Sequence, residues 1–233
     1  MKKITILLYL LISVNSFSQE KGYWSCFAFT VEKQSDAAEL VSAMDGLFNS
    51  EVMSNFPMMV TLAEIEYKNS NNSATHQICF IGQNADAFVG WGSGPPPTSE
   101  GKLLMEIFEK VAVPSNNVLG SPLIFDPSNL KSYEYGVVWS LDVKNIPEFA
   151  KIASDFIKVN SNSFDGVIEL HEAISGAEDN VSHYMVARSN NLSDWLKGRE
   201  AVFANKKSEK FFENAPLVSN TINSFSVRLL KVY

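Results

Sequence analysis

The chain contains three histidines, and all three fall where two β-hairpins would bring them beside carboxylates or one another. Residues 60–68 and 75–82 are apolar runs around the polar turn Asn69-Ser70-Asn71-Asn72, and residues 167–173 and 181–188 repeat the arrangement. A tight turn centred on Ser70 sets Glu64 opposite His76, and one centred on Ala177 sets His171 opposite His183, so the members of each pair share a face of the sheet. Glu169 lies two residues before His171 and points the same way. If that face lines an enclosed space, His171, His183 and Glu169 form a proton-transfer or metal-binding group, with Glu64 and His76 as its counterpart at the other hairpin. Three points count against this. These residues lie near the turn ends of their strands, where polar side chains meet water. Glutamate and histidine pair across strands simply because they attract. A slip of one residue in register moves a side chain to the opposite face. Two histidines with carboxylates are also far looser than a dense Cys/His spacing, so no metal and no cofactor is expected.

Aromatic residues form the second set of candidates. Trp24, Phe27, Phe29, Tyr135 and Trp139 occupy the opening strands of two similar halves, and Trp91 adjoins a glycine-rich connection at residues 90–94. Packed inward they are core, since aromatics dominate burial. Set between two sheets, Trp24 and Trp139 would line an apolar ligand pocket with Glu64 and His76 as polar contacts. The glycine-rich connection lacks phosphate-loop spacing, and no lysine follows it at the required place. There is no Gly-x-Ser-x-Gly elbow and no cysteine–histidine pairing suited to nucleophilic catalysis.

The elements that position these residues occur twice. An offset of 107 carries Val60 onto Val167, His76 onto His183, Asn84 onto Asn191 and Phe88 onto Trp195. In the first half, residues 23–31 read as a strand, and Ala37, Leu40, Val41, Met44, Leu47 and Phe48 recur at helical spacing. The hairpin follows, then a short Asn84-led helix, a helix over 101–112 and a weak strand over 118–125 that Pro122 assigns to an edge or a bulge. After Asp126-Pro127-Ser128-Asn129 the pattern restarts. It gives a strand at 133–143, a helix with Pro147 in its first turn, the second hairpin, helices from a Ser193 cap to a stop at Pro216, and a strand at 225–233.

The 233 residues suit two halves of about 110 each, and at 45% hydrophobic and 19% charged they can build a sizeable core. Residues 1–18 read as an export signal: Lys2 and Lys3 precede an apolar run from Ile4 to Val14, and Ser16-Phe17-Ser18 offers a small-x-small cleavage site. An uncleaved anchor is the competing reading. Without Lys2 and Lys3, 17 of the 19 basic residues face 26 acidic ones, a charge of −9. Such a balance opposes nucleic acid and anionic lipid, and no segment after the signal suggests a membrane.

Each half therefore reads strand–helix–strand–strand–helix–strand, the order of the ferredoxin-like split unit. Two such units bury their exposed sheet faces against each other. The expected architecture is α+β: two tandem ferredoxin-like βαββαβ units, residues 19–127 and 128–233, with facing antiparallel sheets forming a barrel-like core. This order resembles the dimeric α/β-barrel superfamily in its fused, two-repeat form, which includes monooxygenases, haem-handling enzymes and stress-response proteins. The resemblance is one of topology and transfers no catalytic residue. In the ferredoxin-like order the first and third strands are neighbours. Cys26 and Cys79 would then lie on adjacent strands, close enough for a disulfide that export permits, with two buried free thiols as the alternative. Three functions remain open. They are an exported protein holding a small apolar or aromatic ligand between the sheets, a cofactor-less monooxygenase-like enzyme, and a structural or interaction protein with a filled core.

Overall fold

The computed structural model describes residues 21–89, 94–126 and 133–233. The expected export signal at 1–18, Trp91 with most of the glycine-rich connection, and the expected boundary between 127 and 128 lie outside the described residues.

The first half runs β1 (Tyr23–Val31), α1 (Gln34–Phe48), β2 (Met58–Lys68), β3 (His76–Gly82), α2 (Ser99–Val111) and β4 (Ala112–Ile124). The second runs β5 (Tyr135–Val143), α3 (Ile146–Asn160), β6 (Val167–Ser175), β7 (His183–Ser189), α4 (Leu192–Ala204), α5 (Glu209–Val218) and β8 (Ser219–Val232). Within each half the strands take the ferredoxin-like order, β4-β1-β3-β2 and β8-β5-β7-β6. The halves do more than face each other. β2 pairs with β8 and β4 pairs with β6, so the eight antiparallel strands close into a ring.

Side-chain alternation divides the ring into two faces. From β1, Phe29 and Val31 point outward and meet Leu40, Met44 and Leu47 of α1, all 6% exposed or less. Leu141 and Val143 of β5 do the same against Phe149 and Ala153 of α3. Full burial of each such large side chain is worth about 1.5–3 kcal/mol. This helix-covered layer is the main core, and the inner face is left to the ring's interior.

The starts of α2, α3 and α4 are set by side-chain caps. Thr98 accepts from the Gly101 amide at 3.2 Å, and Asn145 accepts from Glu148 at 3.3 Å with Pro147 in the first turn. α4 is capped by Asn191, which accepts from Asp194 at 3.0 Å, in place of the expected Ser193. Asn84 makes the matching bond to Ala87 at 3.1 Å, but opens only a 3₁₀ turn, Ala85–Phe88. Pro216 lies inside the last turn of α5 and does not end it.

Two further differences concern strands. β4 is longer than expected and is no edge. It pairs with β1 along most of its length and with β6 at its far end. Its prolines are accommodated by irregularities: the register shifts opposite Pro114, and again between Pro122 and Ile124. The second hairpin is also shorter than the first. Glu64 pairs with His76, twelve residues on, whereas His183 pairs with Glu172, eleven residues before it. The offset is thus 107 along β3 and β7 but 108 along β2 and β6, and Val60 corresponds to Ile168 instead of Val167. Left-handed backbone at Gly176 (φ 77°) and Asn180 (φ 65°) closes this shorter connection.

Candidate functional site

The inner face of the ring bounds a partly open cavity of about 1640 Å³. Most of its wall is apolar, from Ala28, Met59, Ala63 and Ile65 in the first half to Val138, Val186, Val227 and Leu229 in the second. Of the three functions left open, the structural one with a filled core is the one this space speaks against.

Polar residues occur around the wall, and one cluster of them is built on β6 and β7. Glu169 is 3% exposed and accepts from Arg188 Nη2 at 2.5 Å. Its other oxygen lies 3.4 Å from His171 Nε2. His171 pairs across strands with Tyr184, and both rings meet Trp24 edge-on, at 5.9 and 5.7 Å between centroids. Phe125 lies 6.0 Å from His171 on another side. Trp24 reaches this cluster because its strand neighbour is Gly120. A Cβ there would fall 2.1 Å from Trp24 Cζ2, so only glycine lets the indole lie against the backbone. Burial pushes the Tyr184 phenol up to about 12, with the Glu178 carboxylate adding to the effect. Its hydroxyl is therefore neutral across the physiological range.

The candidate residues divide between the two faces. Trp24, Glu169 and His171 come together in the cavity. The expected pairing of His171 with His183 does not form: the one-residue slip sets His171 against Tyr184 and His183 against Glu172, on opposite faces. His183 and His76 instead occupy matching places in the outer layer. His76 Nδ1 lies 2.8 Å from Thr75 Oγ1, and His183 Nδ1 lies 2.9 Å from Ser182 Oγ. Burial holds both imidazoles below their usual value, while Glu64 and Glu172 across the strand pull the other way. Glu64 faces His76 as expected, but on the outer face, where it binds Arg228. Trp139 packs under the helices against Trp195, centroids 6.4 Å apart, outside the cavity.

Arg188 and Tyr184 were not anticipated. With the shorter hairpin, alternation from His171 leads directly to Tyr184, and Arg188 lies on the same inner face four residues on. Cys26 and Cys79 are directly paired, with Cα atoms 4.1 Å apart, and form a disulfide on the cavity wall. Among the described residues no group of three or more His, Cys, Asp or Glu is placed to hold a metal ion. No helix among them is long and apolar enough to cross a membrane.

No protein-family model and no curated protein matches the sequence. Solved structures do match in fold. A candidate monooxygenase from Fusobacterium nucleatum superposes with a TM-score of 0.62 at 13% identity, over 91% of this chain and 94% of its own. One from Lactobacillus acidophilus gives 0.62 at 9%, over 91% and 96%. A haem-binding protein from Thermus thermophilus gives 0.54 at 8%, over 91% and 92%. At these identities the likeness is one of fold, and the fold the chain shares with them is the ferredoxin-like, dimeric α/β-barrel arrangement.

Proposed function

We propose that this is an exported small-ligand-binding protein whose working site is the interior of the ring. One observation carries the reading: the repeat is broken on the inner face, and there the second half carries a cluster of charged and polar residues. Glu169, His171, Tyr184 and Arg188 stand where the first half has Thr61, Ala63, Gln77 and Ile81. A largely apolar cavity with a few convergent polar groups is the usual form of a small-molecule site. The signal-like residues 1–18 and the Cys26–Cys79 disulfide support export, since disulfides persist in oxidising compartments. Native mass spectrometry of protein purified from its own periplasm or medium tests the reading. A retained organic molecule, lost from a variant whose cavity is blocked by Ala63→Trp, supports it. Ligand-free protein that also fails to take up small aromatic compounds refutes it.

A second reading, a cofactor-less monooxygenase-like enzyme, is favoured by the placement of His171. Glu169 backs Nε2, and Nδ1 is buried without a hydrogen-bond partner. A carboxylate orienting an imidazole in this way suits proton abstraction from an acidic aromatic substrate. The fold neighbours described as monooxygenases agree with it. Oxygen uptake with added hydroxyarenes, abolished by His171→Ala while binding persists, separates this reading from simple binding.

A carboxylate-backed imidazole is also a known setting for a metal ligand, but haem does not fit the cavity's charges. The basic residues on the described wall are Lys21 and Arg188, and each is paired, with Glu172 and Glu169. The porphyrin carboxylates would find no free cation, so no step is derived through haem.

A further inference from the structure

Polar groups left without partners in a buried wall indicate what is meant to meet them. Three such atoms belong to residues that line the cavity: Trp24 Nε1, His171 Nδ1 and Arg188 Nε. The indole and the guanidinium are donors only, whereas the role of His171 Nδ1 depends on its tautomer, so the demand at Trp24 and Arg188 is for an acceptor. The cations of the same wall are already paired, and its further charged residues, Asp126, Glu134 and Glu178, are acidic. Arg188 is committed to Glu169, and Lys21 to Glu172. An anionic ligand would enter beside Glu169 with no free cation to receive it. A cationic ligand would supply no acceptor. The surrounding rings of Trp24, Tyr184, Phe125 and His171 offer edges and faces suited to a flat apolar frame.

We infer that the ligand is an electrically neutral, planar apolar molecule carrying a carbonyl-type acceptor oxygen, as in a ketone, quinone or ester, read by the donors of Trp24 and Arg188. This rests on the ring interior being the binding site. Three probes sharing one frame test it: 9-fluorenone, fluorene and fluorene-9-carboxylate, titrated calorimetrically into the full secreted chain. The ketone is expected to bind up to about tenfold more tightly than the hydrocarbon for each hydrogen bond recovered, and more tightly than the carboxylate. Trp24→Phe keeps an aromatic ring but removes the indole donor. Arg188→Lys keeps the cation for Glu169 but removes the Nε donor. Each should lower fluorenone affinity and leave fluorene affinity unchanged. Equal binding of ketone and hydrocarbon, tightest binding of the carboxylate, or an undiminished ketone preference in both variants overturns the inference while leaving the cavity as a ligand site. Failure of all three probes to bind removes the ring-interior reading together with the inference.

Discussion

Replacing Cys26 and Cys79 together by valine tests how the ring is held. The bond closes a loop of 53 residues. In the chain-entropy account, removing a cross-link of that span lowers stability by about 4 kcal/mol, through added freedom of the unfolded chain. The native side of the balance can be read from the repeat. Cys26 and Cys79 correspond to Val138 and Val186, which are directly paired in the second half. A valine pair therefore fits this geometry and returns about 0.2–1 kcal/mol of cross-strand packing. The net loss should be about 3–4 kcal/mol, a fall in melting temperature of roughly 6–16 °C for a chain of this size. Urea unfolding followed by circular dichroism supplies the measurement. The denaturant slope should also rise, because the unlinked unfolded chain exposes more surface. Reduced wild-type protein should match the double variant to within about 1 kcal/mol. A loss below about 1 kcal/mol with an unchanged slope would refute the reasoning. It would mean that the β1–β3 pairing persists in the unfolded state or that the bond strains the folded one.

Four further outcomes follow from the site and its supports. Gly120→Ala places a Cβ 2.1 Å from Trp24 Cζ2 and 2.6 Å from the Glu172 carbonyl oxygen. It should cost about 1–3 kcal/mol and alter the near-ultraviolet dichroism of Trp24. Gly46→Ala in α1 meets nothing within 4 Å and should stabilise by about 0.5–1 kcal/mol. Arg188→Met strands the buried Glu169 carboxylate and should cost about 3–5 kcal/mol. Adding Glu169→Gln should recover much of that loss, and strict additivity in a double-mutant cycle would count against the pair. The fourth outcome concerns pH. His76 and His183 titrate below the ordinary value of 6.5 because they are buried. Above that pH neither the folded nor the unfolded chain charges them. Below it the unfolded chain takes up protons first, so stability falls with falling pH until the folded histidines titrate in turn. Denaturation midpoints on either side of pH 6.5 should show this slope, and His76→Gln with His183→Gln should flatten it.

The ferredoxin-like order of each half was legible because apolar periodicity and the repeat of the chain agree, element by element. The closing of the ring was not. The β2–β8 and β4–β6 contacts join strands from different halves, and both contain register shifts. Nothing in local alternation distinguishes a strand with two neighbours from one at an edge. β4 was the least legible element: its start, 113–117, is mostly exposed, and prolines at 114 and 122 mimic the punctuation of a loop. The histidine pairing failed for a smaller reason. A single constant offset was carried through both arms of the hairpin, while one residue is missing from the second connection. Because side chains alternate with a period of two, that residue was enough to exchange Tyr184 for His183 on the inner face.

The same repeat, corrected for the slip, separates scaffold from site. Thr75 and Ser182 each accept from the backbone of the neighbouring strand, from Val31 at 2.8 Å and Val143 at 2.9 Å, and each stands beside a buried histidine. Asn84 and Asn191 each receive the amide three residues on. Correspondences of this kind occur in the outer layer and at turns, where the fold sets the requirement. The inner face obeys no such constraint, since a side chain there meets the cavity and not a helix. On that face the halves diverge: apolar and small residues with a disulfide on one side, and a charged, aromatic cluster on the other. An interior serving only to be filled would call for bulk at these positions in both halves. Ala63 opposite Gln77 in one half and His171 opposite Tyr184 in the other instead leave open space beside buried, partly unpartnered polar groups. Leaving such groups unpaired costs free energy in the empty protein. On the proposed reading, a ligand that completes their hydrogen bonds recovers it where Trp24 of the first half meets β6 and β7 of the second.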